Sequence, residues 1–496
     1  MEQHVFCAAT PTSWSVYWDK PENAPRHCAY TVVLEGREPR RVSKTHCTFR
    51  DLAPDTALRA EVYLEEELIG SVEGRTMKQP RRIDVTAEPY CAVGNDMTMN
   101  TERLQRAIDD CGPGDEVYFP RGVYLTGALR LHSDMSLYLD KGAVLQGSEQ
   151  PEDYLPRIPS RFEGVERECY QSLLNLGNMD HTSGPNCKNV LIWGEGTISG
   201  GGQALSMRTI ESERESMKDY LDSLGDRIHE YEKDDTIPGR ARGRLINMSN
   251  CEHVRVTGLT LRNGASWNLH MIYSRDIVTD HCIFRSQGIW NGDGWGPDSS
   301  EDCVLFACEF HTEDDSVAIK SGKNPEGNAI ARPTRNIRIF HCVSHQGHGI
   351  ALGSEVSGGI ENVAIWDCDL RYSLYGVLIK ATRKRGGYVK NVVVRDSTLP
   401  RFTVASALRY NDDGEPAKEP PVFSDFRCDR IHFTGWSREY WEDELHLMPC
   451  VDLSGYDEPG YEVQNVSITR CYVENGSEIS VKGCRNIRVE LDQVNV

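Results

Sequence analysis

The stretch "DIVTDHCIF", residues 276–284, decides the fold because it recurs. "DCVLFACEF" follows at 302–310, "NIRIFHCVS" at 336–344, "NVAIWDCDL" at 362–370 and "NVVVRDSTL" at 391–399, in steps of 26, 34, 26 and 29 residues. Related segments lie at 189–200 ("NVLIWGEGTISG"), 253–264 ("HVRVTGLTLRNG") and 465–473 ("NVSITRCYV"). Each opens with Asn, Asp or His and then alternates apolar with polar residues. Most carry a small residue six positions on: Cys282, Cys308, Cys342, Cys368, Ser397 and Cys471. A period of this length indicates stacked units, and short alternating strands with Asn and Gly corners indicate a parallel β-helix. The Cys series is then an interior ladder, each thiol packing on the next as a small hydrophobe. Redox or metal chemistry is the competing reading. The coil sets the phase of the series, however, and no ligand geometry does.

The flanking segments read differently. Residues 1–81 form short strands broken by turns, as in "SWSVYWDK", "AYTVVLEG" and "HCTFRDLAPDTALRAEVYLEE". "LAPDTALRAEVYL" resembles a fibronectin type III β-sandwich. The expected fold is therefore all-β: a small sandwich (1–81) followed by a parallel β-helix (82–496). A helix from Asn100 or Thr101 buries Leu104, Ala107 and Ile108 and closes the open end, where backbone edges would otherwise be exposed. Within 205–240, Met217, Leu221, Leu224, Ile228 and Tyr231 recur every three or four residues and predict one amphipathic helix inserted between coils. That helix is either a solvated flap on the outside or a wall of a cleft.

The chain has 496 residues, too many for one compact core, and 39% of them are hydrophobic. No apolar run reaches the roughly 18 residues of a membrane helix, so no membrane partner is expected. The formal charge of −20 argues against nucleic acid, and an acidic substrate needs a local basic pocket. The N-terminal stretch lacks a basic n-region and an apolar h-region, which points to the cytoplasm. A trimmed chain from a periplasmic or secreted protein would look the same. Seventeen Cys form an odd count and read as reduced thiols. No CxxC pair appears, which argues against zinc, and no cofactor is expected.

One face gathers chemistry. "SVAIKS" (316–321), "GIALGS" (349–354) and "GVLIKA" (376–381) share one pattern, preceded by Asp314 and Asp315, by His348 and by Tyr375. "NGDGWGPDSS" places Asp293 one coil earlier. If the register holds, Asp293, Asp314, Asp315, His348 and Lys380 share one surface within about two strand spacings. Clustered carboxylates spread their pKa values, so one holds a proton and others stay charged. Glycosidic hydrolysis needs that division of labour. Taken singly, an Asp at a coil corner satisfies backbone donors, and three Asp also suit calcium.

The blocks "NGD" (291–293), "DD" (314–315), "GHG" (347–349) and "LIK" (378–380) resemble, in order, those of glycoside hydrolase family 28, the polygalacturonases. The resemblance extends over about 82–496. It implies a right-handed parallel β-helix and hydrolysis of α-1,4-galacturonide links of pectin oligosaccharides with inversion. It implies Asp314 as general acid, Asp293 and Asp315 as the groups that hold and activate water, His348 as tuner of the acid, and Lys380 as a uronate ligand. There are three departures from the family: Gly292 stands for Thr, Trp295 and Gly296 for the usual pair after the Asp, and Leu378 for the Arg of the last block. Arg383, Lys384 or Arg385 is expected to supply the missing charge, beside Lys320 and Lys323. Trp295, Asn291 and Tyr410 are further candidates for substrate contact. The insert, the corner "GKNPEGNAIARPT" and the N-terminal sandwich point to exo action. A rhamnogalacturonan hydrolase of the same fold and a non-catalytic glycan-binding β-helix are the alternatives. A pectate lyase is opposed by the DD and GHG blocks.

Overall fold

The computed structural model describes residues 4–231, 236–407, 414–438, 444–474 and 476–494. Its main body is a parallel β-helix whose three faces are parallel sheets of seven, eleven and fifteen strands among the described residues. Pairing between coils is in register: Ile337 lies beside Val363, Val363 beside Val392, Val392 beside Phe426, and Phe426 beside Val466. These side chains form one row of a continuous interior.

The backbone explains why each repeat opens with Asn, Asp or His. Asn189, His253, Asp276, Asp302, Asn336, Asn362, Asn391 and Asn465 all adopt positive φ, between 51° and 59°. Short polar side chains tolerate that left-handed region best. Asn336 donates to Asp302, Asn362 to Asn336 and Asn391 to Asn362, at 2.9, 3.3 and 3.3 Å. The small residue of each repeat sits at the next corner, directly after a second positive-φ residue such as His281, Ala307 or His341. These thiols are buried but not inert filler. Cys308 Sγ accepts the backbone N–H of Cys282 at 3.4 Å, and Ser397 Oγ accepts that of Cys368 at 3.1 Å. The ladder thus answers corner amides that packing alone would leave unpaired.

The helix Thr101–Asp109 closes the first coil and buries Leu104, Ala107 and Ile108. Asn100 does not cap it through its side chain, which instead binds the backbone of Val93. The insert differs from the single helix expected. It consists of helices Gly202–Ser216 and Lys218–Leu224 and a 3-10 turn Gly225–Glu230. Leu224 of the predicted stripe is buried, but most of the buried side lies upstream of it, at Leu205, Ser206, Thr209, Ile210 and Glu213. Glu213 sets the packing: it is buried and accepts ion pairs from Arg157 at 2.7 Å and Arg167 at 3.0 Å. Among the described residues no helix is long and apolar enough to cross a membrane.

The N-terminal strands make two antiparallel sheets. Trp14–Trp18 lies between Val5–Ala9 and His46–Phe49. The other sheet runs in the order Arg40–Val42, Tyr30–Leu34, Ala57–Leu64, Glu67–Arg75. They enclose a core of Trp14, Trp18, Tyr30 and Phe49. Tyr17 docks the three-stranded sheet on an outward aromatic stack of Phe306, Phe340 and Trp366. Lys20, almost wholly buried, bridges Asp367 at 2.7 Å and Asp396 at 3.0 Å across that junction.

Candidate active site

The eleven-stranded sheet carries the site. Strand Trp295–Asp298 pairs with Val317–Ile319, which pairs with Gly349–Gly353, then with Gly376–Thr382. Trp295, Val317, Ile350 and Val377 form an inward row, so the alternating positions face out. The corners entering these strands bear Asp293, the Asp314–Asp315 pair and His348 on successive coils. Two backbone bonds fix the stacking: Gly294 N–H donates to Asp315 O at 2.9 Å, and His348 N–H to Asp314 O at 3.1 Å. Gly347 makes the second approach possible. Its φ is +90°, and a Cβ there would lie 2.4 Å from Asp314 O. Only glycine fits.

Adjacent aspartates on a strand would point apart, but here they occupy a bend between strands Glu309–Thr312 and Val317–Ile319. Both therefore reach one imidazole: His348 Nδ1 is 3.0 Å from Asp314 Oδ1 and 3.2 Å from Asp315 Oδ1. Lys380 Nζ lies 3.8 Å from Asp315 Oδ2. Asp293 and Asp315 are nearly buried, whereas the Asp314 side chain is 23% exposed and is the most open of the three.

The electrostatics divide the carboxyls. Burial, with repulsion from Asp314 and Asp315, pushes Asp293 well above the usual carboxylate range. Burial also acts upward on Asp314, but His348, Lys380 and Lys320 overcome it and hold that carboxyl low. Burial disfavours charge on His348, yet the Asp314 and Asp315 carboxylates push it up to about 10. These fields favour a proton on Asp293 and on His348 and charge on Asp314.

Lys320 occupies the back wall, its ammonium 3.0 Å from Glu355 and 5.3 Å from the centre of the Trp267 ring. Asn291 accepts a bond from Arg242 at 2.6 Å. Three expected substrate contacts need correction. Trp295 is fully buried in the coil interior and donates to Thr279, because alternation turns residue 295 inward. Arg385 is also fully buried and donates to Asn324 at 2.7 Å, so it supports the long corner from behind. Arg383 extends along the surface to Glu458 at 2.8 Å. Tyr410 lies outside the described residues. Gly292 has a steric reason: a Cβ there would meet Ile289 O at 2.7 Å.

Sequence reasoning missed a hairpin, Ile158–Phe162 paired with Val165–Cys169. Its turn residues Glu163 and Gly164 both have positive φ, as a two-residue hairpin demands, so "FEGV" was a readable signal. The hairpin reaches the long corner, where Lys323 N–H donates to Gly164 O and Glu166 N–H to Glu326. It also delivers buried Arg161 to Asp298 at 2.8 Å. The run "RARGR" was missed too. Arg242 binds Ser206 of the insert and Asn291, so the insert touches the segment that carries Asp293. Arg244 lies against the stacked rings of Phe162 and Trp267, 5.3 and 5.2 Å from their centres, and its Nε and Nη2 have no hydrogen-bond partner among the described residues.

Residues 177–406 match the profile described as Glycosyl hydrolases family 28. An exo-poly-alpha-D-galacturonosidase of Dickeya chrysanthemi is 29% identical over 420 residues, 78% of this chain and 66% of that protein. A probable polygalacturonase of Vitis vinifera is 33% identical over 352 residues, 67% of this chain and 65% of that protein. The chain thus spans about 65% of the length of these curated relatives. Among solved structures, a family 28 exopolygalacturonase of Yersinia enterocolitica superposes with a TM-score of 0.77 at 21% identity, covering 100% of this chain and 96% of its own. A Thermotoga maritima exopolygalacturonase gives 0.67 at 24% identity, over 83% and 93%. At those identities the structures speak for the fold, parallel β-helix included. The matched segment, residues 177–406, holds the ordered blocks at 291–293, 314–315, 347–349 and 378–380, so this part of the chain carries the glycosyl hydrolase family 28 profile.

Proposed function

We propose that the protein is an inverting, exo-acting glycoside hydrolase that cleaves α-1,4-galacturonide links of pectin oligosaccharides. The observation that carries this reading is the shared imidazole of His348 between Asp314 and Asp315, with buried Asp293 beside them. Asp314, the most open carboxyl, is the general acid. Its low pKa in the empty site depends on burial being overcome by His348, Lys380 and Lys320. A uronate carboxylate entering beside Lys380 offsets part of that positive field and raises the Asp314 pKa, so the proton that Asp293 holds before substrate enters passes to Asp314 and from there to the leaving oxygen. Asp293, ionised by that transfer, and Asp315 hold the attacking water on the opposite face of the sugar and take its proton, and water on that face inverts the anomeric centre.

The basic patch for an acidic substrate comes from Lys380, Lys320 and Arg244, in place of the 383–385 run. Leu378 removes a bidentate guanidinium beside the scissile bond, which favours a looser hold on the neighbouring sugar. Exo action is supported by the hairpin 158–169, the helical insert and the corner around Glu326, which meet or flank one another on the side of Asp293 and Asp298. Residues 1–81 form a fibronectin type III-like domain on their strand order and two-sheet arrangement, with 82–496 as the catalytic domain. Digestion of defined galacturonate oligomers tests the whole reading. Release of only monomer or dimer from one chain end, first as the inverted anomer, supports it. Early mid-sized products refute exo action, and no cleavage of any galacturonide refutes the hydrolase.

A further inference from the structure

A second cluster lies on the seven-stranded sheet, outside the catalytic corners. Glu309 and His311 stand two apart on strand Glu309–Thr312, and His345 lies on the paired strand Val343–Gln346 of the next coil. A spacing of two puts Glu309 and His311 on one face. A register shift between Phe310 and His311 lets His345 fall beside them. The imidazoles of His311 and His345 stack with centroids 4.5 Å apart. His345 Nε2 is 3.6 Å from Glu309 Oε2, and one ligand atom from each of the three residues lies within 4.8 Å of the others. Two ligands bound about 2.0–2.1 Å from a tetrahedral ion sit roughly 3.3 Å apart, so binding draws the ligand atoms together and tilts the two stacked rings out of parallel.

We propose that Glu309, His311 and His345 form a surface site for one divalent transition-metal ion of the zinc class, with water completing the coordination. Two imidazoles and a carboxylate suit zinc, cobalt or nickel and not calcium or magnesium. The lack of a CxxC pair excludes only a thiolate site of that type. Nearby Asp369 is occupied by Arg371. The catalytic trio of Asp314, Asp315 and His348 is as closely grouped, but there a metal would displace the His348 proton and face Lys380.

The position gives the site a consequence. His311 lies three residues before Asp314, and His345 three before His348. An ion shared by them would fasten together the two coil turns that present the proposed acid and its partner.

Titration of the chelator-treated full chain with zinc chloride at pH 7.5, by calorimetry and by thermal melting, tests the proposal. We expect one bound equivalent and a rise in melting temperature. His345→Ala, an exposed position whose fold circular dichroism checks, should weaken binding by at least about tenfold, since even groups that only support a ligand contribute about 10–100-fold. Asp314→Asn should retain the equivalent. No bound zinc at millimolar concentration overturns the site. So does zinc retained by His345→Ala, or lost from Asp314→Asn, because the ion then sits elsewhere.

Discussion

His348 Nδ1 lies 3.0 Å from Asp314 Oδ1, so the side chain that follows one glycine of the "GHG" turn clasps the first aspartate of the coil before it. The pair is coupled to Asp293, and its titration steps belong to the cluster and not to single residues. This arrangement separates the acid from the base by experiment. Asp314→Asn should lower kcat on oligogalacturonides by about 10²–10⁴-fold. An aryl galacturonide with a good leaving group should restore much of that loss, because the leaving oxygen then needs no proton. Asp293→Asn should show no such recovery. The reverse pattern would assign the acid to Asp293.

Asp293 works against the fold. Its carboxyl is pushed up by burial and by Asp314 and Asp315. An acid whose folded pKa is raised keeps its proton in the native state while the unfolded chain releases it. Stability therefore falls as pH rises through the range above the ordinary Asp value. Asp293→Asn should raise the melting temperature at pH 7 while abolishing turnover, with a smaller gain at pH 4. An unchanged or lower melting temperature at pH 7 contradicts the electrostatic account.

Lys380 faces the cleft on the same outward row as Asp298, Lys320 and Gly353. Charged hydrogen bonds of this kind contribute about 1.5–3 kcal/mol. Lys380→Ala should therefore cut kcat/KM on oligogalacturonides by about 10–100-fold, with KM carrying most of it. Steady-state kinetics on trimer and hexamer separate the two constants, and a purely structural lysine would move neither in that proportion.

Lys20 is the buried cation between Asp367 and Asp396, two residues of the β-helix. Removing it strands buried Asp367, while Asp396 keeps its pair with Arg430, and breaking such a buried pair costs about 3–5 kcal/mol. Lys20→Ala should lower the melting temperature, and removing residues 1–81 should do so further. A truncated chain with unchanged melting would show that the junction is dispensable.

The same junction should be acid-sensitive. His46 is driven down to about 3 by burial and then by His341 and His281, opposed by Asp280 and aided by Lys44. His341 is driven down to about 4 by burial, Lys44 and His281. The unfolded chain binds protons at these rings near the ordinary His value of about 6.5, the folded chain only far below it. Stability is thus lost as pH falls from about 6.5 towards 4. His46→Gln should flatten that decline in melting scans between pH 7 and 4.5, and an equally steep decline would exclude these rings.

The β-helix was legible because its periodic code is local. An opener at positive φ followed by alternation reads directly as "NIRIF" or "NVAIW". The corner lengths that stack Asp293 on Asp315 and His348 were readable only as a guess, since backbone bonds from Gly294 and His348 set them. Trp295 was misread because proximity in sequence to Asp293 was weighed above alternation, which sends it inward with Val317. Arg161, Arg242 and Arg244 escaped notice because they come from segments far upstream that fold back over the sheet. Their value lies in tertiary packing on Asp298, Asn291 and Trp267.

The rungs formed by Asp302, Asn336, Asn362 and Asn391 turn the chain's length into discrete steps. Each corner can gain or lose residues freely so long as the next rung lands on its predecessor. A shift of one residue inside a rung-bearing strand would instead turn its lining outwards. Heritable change in this scaffold should therefore come in two sizes: edits confined to a corner, which reshape the cleft mouth, and duplication or loss of an entire turn, which lengthens or shortens the trough without disturbing its pitch.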